Sequence, residues 1–311
     1  MITNISLTLL NKRENMYLKP VQYLSVAIIA LTIFGGCSQQ KTQPQSLQKT
    51  IAVSILPQKY FIDQLSGNHY NTIVMLPPGA NHETFEPTAV QLIELSKASV
   101  YFYLGHLAFE QTLLQGIRES NTQLEFIDCS ANVELLQGAC NHEHGEEHNH
   151  GIDPHTWISP TTVKEMVNQM VATLSKIDPD FSDSLKIGYE KVSKQIDSMD
   201  RVLRDAISKS GTKGVMLFHP ILSYMARDYG FKQYAIEEEG KEPSPQQLKS
   251  VIEKAREAKI NIIFVQQEFD VERAKIVAKE IGAEVVILDP LGYRWDQNIT
   301  NIINHLSPKK Q

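Results

Sequence analysis

The chain has 311 residues, of which 21% are charged, and its formal net charge at pH 7 is −6. Its lysines and arginines form no cluster, so its charge pattern argues against a nucleic acid as the partner. About 260 residues follow Thr50, which is more than one compact core accommodates, so we expect two domains.

The first 37 residues have the features of an export signal. Met16 opens a short basic stretch before an apolar run through Phe34, so Met16 is the expected start of translation. Two glycines then precede Cys37, a pattern that resembles the lipobox of bacterial lipoproteins, in which the cysteine is lipidated. About fourteen apolar residues are too few for a spanning helix, which needs roughly twenty. Residues 38–49 are polar and predict a solvated tether.

Short apolar runs alternate with helical patterns through the rest of the chain. The predicted strands are 51–56, 71–76, 100–104, 124–127, 214–218, 231–236, 261–265 and 285–288. The predicted helices between them include 58–65, 88–96, 244–258 and 271–281. Ser244 opens a Ser-x-x-Gln capping box and Gly282 ends the last of these helices. The pattern predicts an α/β fold of two similar lobes, each a mostly parallel sheet flanked by helices.

A long helix is predicted between the two halves. Apolar residues recur at spacings of three and four from Phe181 to Ala206, between a first-turn Pro179 and a terminal Gly211. About thirty residues of helix reach about 45 Å, so we expect a rigid connection that limits movement between the lobes. The predicted divisions are an N-terminal lobe at 50–179, the connecting helix at 180–210 and a C-terminal lobe at 211–311.

A histidine-rich stretch lies near the middle of the chain. Residues 142–150 hold four of the ten histidines and three glutamates, without a helix or strand period. The histidines are His142, His144, His148 and His150. Imidazole and carboxylate groups are ligands for zinc and similar divalent ions, and a flexible run of them binds weakly and adaptably. We therefore predict an auxiliary metal-binding loop.

Other candidate ligands follow predicted strands or precede a helix. His155 lies between Pro154 and the Ser159-Pro160 helix start, so its backbone is held in place. His219 and Asp289 each come directly after a strand and before a proline. Groups at the carboxyl ends of strands in open α/β sheets converge on one cleft, where ligands bind.

Five motifs occur in one order along the chain. They are Pro78-Gly79 through Glu86-Pro87-Thr88, Asp153-Pro154-His155-Thr156-Trp157-Ile158-Ser159-Pro160, Phe218-His219-Pro220 with Tyr224 to Gly230, Gly240 to Ser244, and Leu288-Asp289-Pro290-Leu291-Gly292. Together they resemble the metal-binding solute-binding proteins of bacterial zinc and manganese ABC transporters. The resemblance covers nearly all of residues 50–305. It implies two similar lobes, a rigid connecting helix and one divalent metal between the lobes.

By position, the resemblance implies metal ligands at Glu83, His155, His219 and Asp289. Members of the family often have Pro-His where this chain has His82-Glu83, so His82 is the alternative first ligand. Two imidazoles and two carboxylates would balance a divalent ion, and a site closed by protein ligands favours capture over catalysis.

The expected function is that of a receptor, not an enzyme. We expect a lipid-anchored monomer outside the inner membrane or at the cell surface, which captures Zn²⁺ and delivers it to an ABC transporter permease. Mn²⁺ is the alternative cargo. A zinc hydrolase is a further alternative, but the chain has no His-Glu-x-x-His motif, and Glu237 to Glu239 read as a surface acidic run. A surface adhesin is another alternative function.

The cysteines left after lipidation are Cys129 and Cys140. An exported chain meets an oxidising compartment. The loop of ten residues between the two cysteines is short enough to close at little entropic cost, so we predict a disulfide between them. The alternative is that Cys140 is a soft ligand within the histidine cluster.

Overall fold

The computed structural model describes residues 48–138, 151–237 and 243–308. The N-terminal lobe contains a parallel sheet in the order β2-β1-β3-β4. Its strands are β1 (Thr50–Val53), β2 (Asn71–Val74), β3 (Val100–Tyr103) and β4 (Glu125–Asp128). Its helices are α1 (Leu56–Ser66), α2 (Ala89–Leu95), α3 (Ala108–Ser120) and α4 (Pro160–Ile177). Because helices cover a parallel sheet, its central strands are apolar throughout, and all four residues of β3 are buried.

Helix α5 (Ser182–Ser210) leads into a second parallel sheet in the order β6-β5-β7-β8. The strands of this C-terminal lobe are β5 (Gly214–Leu217), β6 (Lys232–Ala235), β7 (Ile262–Gln266) and β8 (Glu284–Leu288). The helices are α6 (Ser223–Tyr229), α7 (Pro245–Glu257), α8 (Val271–Ile281) and α9 (Trp295–Leu306). The two sheets repeat one strand order. The predicted fold class, two α/β lobes joined by a long helix, is confirmed.

Helix α5 contacts both lobes. Its 29 residues span about 44 Å. It packs against α1 and α4 of the N-terminal lobe and against α6 and α9 of the C-terminal lobe. It ends at Gly211, which adopts a left-handed conformation with φ 65° and donates its N–H to the Ile207 carbonyl. None of the helices in the described ranges combines the length and apolar character needed to cross a membrane.

Two buried tryptophans join the lobes beside the cleft. The Trp157 indole N–H donates to the Pro290 carbonyl oxygen at 2.9 Å, and the Trp295 indole N–H donates to the Trp157 carbonyl oxygen at 2.8 Å. Trp295 also packs against Phe61 of α1, with ring centroids 5.0 Å apart. These contacts fix the segment that carries His155 against the C-terminal lobe.

Three helices were not assigned from the sequence, namely α3, α6 and α9. The residues before them are Leu107, Leu222 and Arg294, and none of these supplies a side-chain cap to its helix. Helix starts are recognised chiefly by Ser, Thr, Asp or Asn at the cap, so that signal is missing here. By contrast, the Ser244 hydroxyl accepts the Gln247 N–H, as the predicted capping box requires.

The start of α3 is held by a buried carboxylate, and this arrangement predicts a pH-dependent stability. Glu110 is fully buried and accepts hydrogen bonds from the backbone N–H groups of Leu104 and Leu107 and from the Ser54 hydroxyl. Burial raises the pKa of Glu110 to about 7, although these hydrogen bonds act to lower it. The folded state therefore binds a proton that the unfolded chain has already released.

We expect the free energy of unfolding to fall by about 3 kcal/mol as pH rises from the unfolded pKa of Glu110 to above its folded value. Urea denaturation at a series of pH values between about 4 and 8 measures this loss. A Glu110→Gln variant is the control, because it cannot ionise at this position and should lack this part of the pH dependence. Parallel curves for the two proteins would contradict the prediction.

Candidate metal centre

Three histidines from three different loops converge in the cleft. His82 follows β2, His155 lies between β4 and α4, and His219 follows β5. The Nε2 atoms of His82 and His155 are 3.0 Å apart, and those of His155 and His219 are 3.3 Å apart. Zinc bound tetrahedrally at about 2.0–2.1 Å places its nitrogen ligands about 3.3 Å from one another. The three rings are buried, with 3–5% of their surface exposed, and their spacing suits one small cation.

A carboxylate two residues earlier orients His155. Asp153 accepts the backbone N–H of His155 at 2.9 Å and its Nδ1–H at 2.8 Å, both on Oδ1. Burial alone would raise the pKa of Asp153, but the charge and hydrogen bonds of His155 outweigh it and the pKa is lowered. With Nδ1 occupied, Nε2 of His155 is the nitrogen that faces the other two histidines.

His219 is held on three sides. Its Nδ1 is hydrogen-bonded to Oε1 of Glu237. Its backbone exchanges hydrogen bonds with the Gln266 side chain, and its ring stacks on Phe269 at a centroid distance of 5.2 Å. Burial alone would lower the pKa of His219, but the hydrogen bond to Glu237 and the carboxylate of Glu83 raise it.

The position of Glu237 differs from the predicted one. The sequence suggested a surface acidic run, yet Glu237 is only 7% exposed. It directly follows β6, and a position at the carboxyl end of a strand is the signal that could have identified it.

His82 is the least anchored of the three histidines. Its Nδ1 is buried and has no hydrogen-bond partner among the described residues. Burial lowers the pKa of His82 well below its usual value, and the neighbouring His155 and His219 lower it further. The ring edge meets Trp157 at a centroid distance of 6.0 Å. Its Nε2 faces Nε2 of His155, and its ring lies 5.5 Å from that of His219 between centroids.

Neither of the two carboxylates expected as ligands belongs to the group of three histidines. Glu83 Oε1 is 3.7 Å from Nδ1 of His219, the nitrogen on the opposite side of the ring from the histidine cluster. Glu83, His219 and Glu237 form a second group of close donor atoms, but His219 Nδ1 already hydrogen-bonds to Glu237 there. Asp289 is exposed and belongs to neither group. Burial of its carboxyl group nevertheless raises the pKa of Asp289.

Another carboxylate near His219 was missed from the sequence. Glu268 follows β7, and its Oε1 is buried without a hydrogen-bond partner in the described part of the chain. Burial raises the pKa of Glu268, and the charge of Asp289 raises it further. Glu268 belongs to neither of the two groups of close donor atoms.

Several predicted residues lie outside the described ranges. They are Cys37, Cys140, His142, His144, His148 and His150. Cys129 directly follows β4, is buried and forms no disulfide within the described ranges, and its pairing with Cys140 stays a prediction. The residues on either side of the histidine-rich stretch are joined, since Gly138 donates its N–H to the Gly151 carbonyl at 2.8 Å.

Comparison with known proteins identifies relatives of this chain. A family model described as "Zinc-uptake complex component A periplasmic" (ZnuA) matches residues 51–306. The zinc-binding lipoprotein AdcA of Streptococcus pneumoniae is 26% identical over 299 residues, which cover 93% of this chain. That alignment covers 59% of AdcA, so the chain spans about three-fifths of that relative. The high-affinity zinc uptake system protein ZnuA of Bacillus subtilis is 25% identical over 290 residues, covering 86% of this chain and 88% of that protein.

A solved structure of a ZnuA protein has a similar fold. The crystal structure of a ZnuA deletion mutant with zinc bound is 31% identical and superposes with a TM-score of 0.75, covering 85% of this chain and 99% of that one. The described fold and the matched residues together show that the chain belongs to the zinc-uptake complex component A family.

Proposed function

We propose that the chain is an extracytoplasmic receptor that captures one zinc ion at His82, His155 and His219 and delivers it to an ABC transporter permease. The observation that carries this proposal is the convergence of three buried Nε2 atoms at separations of 3.0 and 3.3 Å. Family membership supports the transport role, because the family is a component of zinc-uptake complexes.

The nature of the donors favours zinc over manganese. Imidazole nitrogen is a borderline ligand that suits zinc, whereas manganese prefers carboxylate and carbonyl oxygen. The ligand set proposed here is three nitrogens, with His82 in place of Glu83. The zinc-bound ZnuA structure and the zinc-binding relatives support the same cargo.

The cleft has the character of a capture site. His155 and His219 are each oriented by a buried carboxylate, so two of the three ligands are in place before an ion arrives. Preformed ligands spend little free energy on ordering when they bind, which raises affinity. Tight capture of a scarce ion is the task of a receptor that supplies a transporter.

We also propose that the receptor is a monomer held at the membrane by lipid on Cys37. The lipobox-like sequence supports the anchor, and the AdcA relative is described as a lipoprotein. The tether at residues 38–49 would then separate the folded lobes from the membrane surface.

The proposal is tested by titrating metal-free protein with zinc against chelators of known affinity. We expect one tight site, which His155→Ala removes, and additional weak sites that belong to the histidine-rich stretch. Deleting residues 141–150 should remove only the weak sites, because a sequence without a helix or strand period is expected to lose conformational entropy when it binds an ion.

The matched control keeps the length of the stretch and changes His142, His144, His148 and His150 to serine. It should behave as the deletion does. Loss of the tight site in either variant would contradict the proposed site, and tighter binding of manganese than of zinc would contradict the proposed cargo.

A further inference from the structure

We infer that Glu237 is a positioning residue that sets the zinc affinity of the centre by fixing the proton of His219 on Nδ1. This inference rests on the proposed function and assigns a role to a residue that is not itself a ligand in the proposed set.

The sheet places Glu237 beside His219. Strands β5 and β6 pair in parallel, with Leu217 opposite Ala235. The pairing continues past the strand ends, since the Glu237 N–H donates to the Phe218 carbonyl at 3.1 Å. His219 is the next residue after Phe218, so the register of the sheet brings the two side chains together across 18 positions of sequence.

Burial makes the hydrogen bond to Glu237 a strong constraint on the ring. The side chain of Glu237 is 4% exposed and that of His219 is 6% exposed. A buried carboxylate without a partner is costly, so the carboxylate needs the N–H of His219. A neutral imidazole carries one proton, and a proton on Nδ1 leaves the Nε2 lone pair free for a metal.

The position of Nε2 makes this tautomer the one that can bind metal. Nε2 of His219 lies 3.3 Å from Nε2 of His155, on the side of the ring away from Glu237. If the proton moved to Nε2, that nitrogen would have no lone pair to offer the ion. A carboxylate bonded to the far nitrogen also makes a ligating imidazole more basic and holds its orientation.

The other acidic neighbours do not act in this way. Glu83 Oε1 is 3.7 Å from Nδ1, beyond hydrogen-bond distance. Glu268 and His219 interact through charge and not through a hydrogen bond to Nδ1, which Glu237 occupies. Glu268 therefore provides a control that removes one negative charge from the same lobe and leaves the hydrogen bond to Nδ1 in place.

The experiment compares the wild type with Glu237→Gln and Glu268→Gln. The first measurement is zinc affinity by chelator competition. Loss of a carboxylate that orients a metal-binding histidine typically weakens metal affinity by about 10–100-fold, and we expect Glu237→Gln to fall in this range. Glu268→Gln should weaken binding by less than about threefold, because Glu268 makes no hydrogen bond to His219 and belongs to neither group of close donor atoms.

The second measurement needs no metal. Nitrogen NMR of metal-free protein with ¹⁵N-labelled histidine reports which ring nitrogen carries the proton, and a His219→Asn variant assigns the signal. We expect Nδ1–H in the wild type and in Glu268→Gln, with a shift towards Nε2–H in Glu237→Gln, because a neutral amide accepts the Nδ1–H more weakly than a carboxylate and can also donate to Nδ1. Thermal melting of each variant verifies that it is folded.

Three results would overturn the inference. They are a wild-type His219 protonated on Nε2, an unchanged tautomer in Glu237→Gln, and equal affinity losses in Glu237→Gln and Glu268→Gln. Failure of the wild type to bind zinc through the three histidines would instead overturn the proposed function, and the metal-free spectrum would still decide the role of Glu237.

Discussion

Replacing His82 by alanine is expected to weaken zinc binding by a factor on the order of 100 or more, whereas replacing the adjacent Glu83 by alanine should cost less than about tenfold. His82 contributes one of three nitrogens in the cluster, with its Nε2 3.0 Å from that of His155. Removing it leaves two imidazoles from different lobes. Glu83 points at Nδ1 of His219 and contributes to the site only through its charge.

Chelator competition with zinc and with manganese measures both effects. His82 and Glu83 are neighbours in one turn, so each variant is the control for a local disturbance caused by the other. Asp289→Ala completes the set, because Asp289 is exposed and lies outside the histidine cluster. Large losses in Glu83→Ala and Asp289→Ala, with His82→Ala close to wild type, would instead support the ligand set that family resemblance suggested.

Replacing Gly188 by alanine is expected to destabilise the fold by about 3 kcal/mol or more. Gly188 lies within α5, where the helix crosses α1. A Cβ atom at this position would lie 2.1 Å from the Leu65 carbonyl oxygen and 2.7 Å from its carbon. These are backbone atoms that cannot rotate away, so the two helices would have to separate and lose packing along their contact.

Gly116 provides the matched control for this substitution. It also lies inside a helix, α3, but a Cβ there would meet no atom within 4 Å. Alanine is favoured over glycine in a helix interior by about 1 kcal/mol, so Gly116→Ala should be neutral or slightly stabilising. Urea denaturation of the two variants and the wild type gives both values. A Gly188→Ala protein as stable as the wild type would show that α1 and α5 are not packed this closely.

Much of the fold could be predicted because its signals are local. The apolar runs marked every strand of both sheets to within a few residues, and Gly211 and Gly282 marked the ends of α5 and α8. The capping box at Ser244 could also be recognised in the sequence. Helices without a polar cap, such as α9, gave no such start signal.

The candidate site depends on geometry that the sequence does not display. Whether His82 or Glu83 faces the cleft is decided by a turn in which the Asn81 side chain accepts the Glu83 N–H at 2.8 Å. A shift of one residue in that turn exchanges an imidazole for a carboxylate. Glu237 reaches His219 only through the register of β5 and β6. Motif spacing identified His155 and His219 as candidates but could not identify what orients them.

The tryptophan pair bears on how an ion could leave the cleft. Parting the lobes beside His155 would break the indole hydrogen bonds of Trp157 and Trp295 and uncover much of both rings. Each indole buries roughly 150–250 Å², so full exposure of the two would cost on the order of 10 kcal/mol. That is comparable with the whole stability of a typical domain. We therefore expect an ion to leave by local displacement of the turn that carries His82, whose Nδ1 has no hydrogen-bond partner among the described residues, while the lobes stay together.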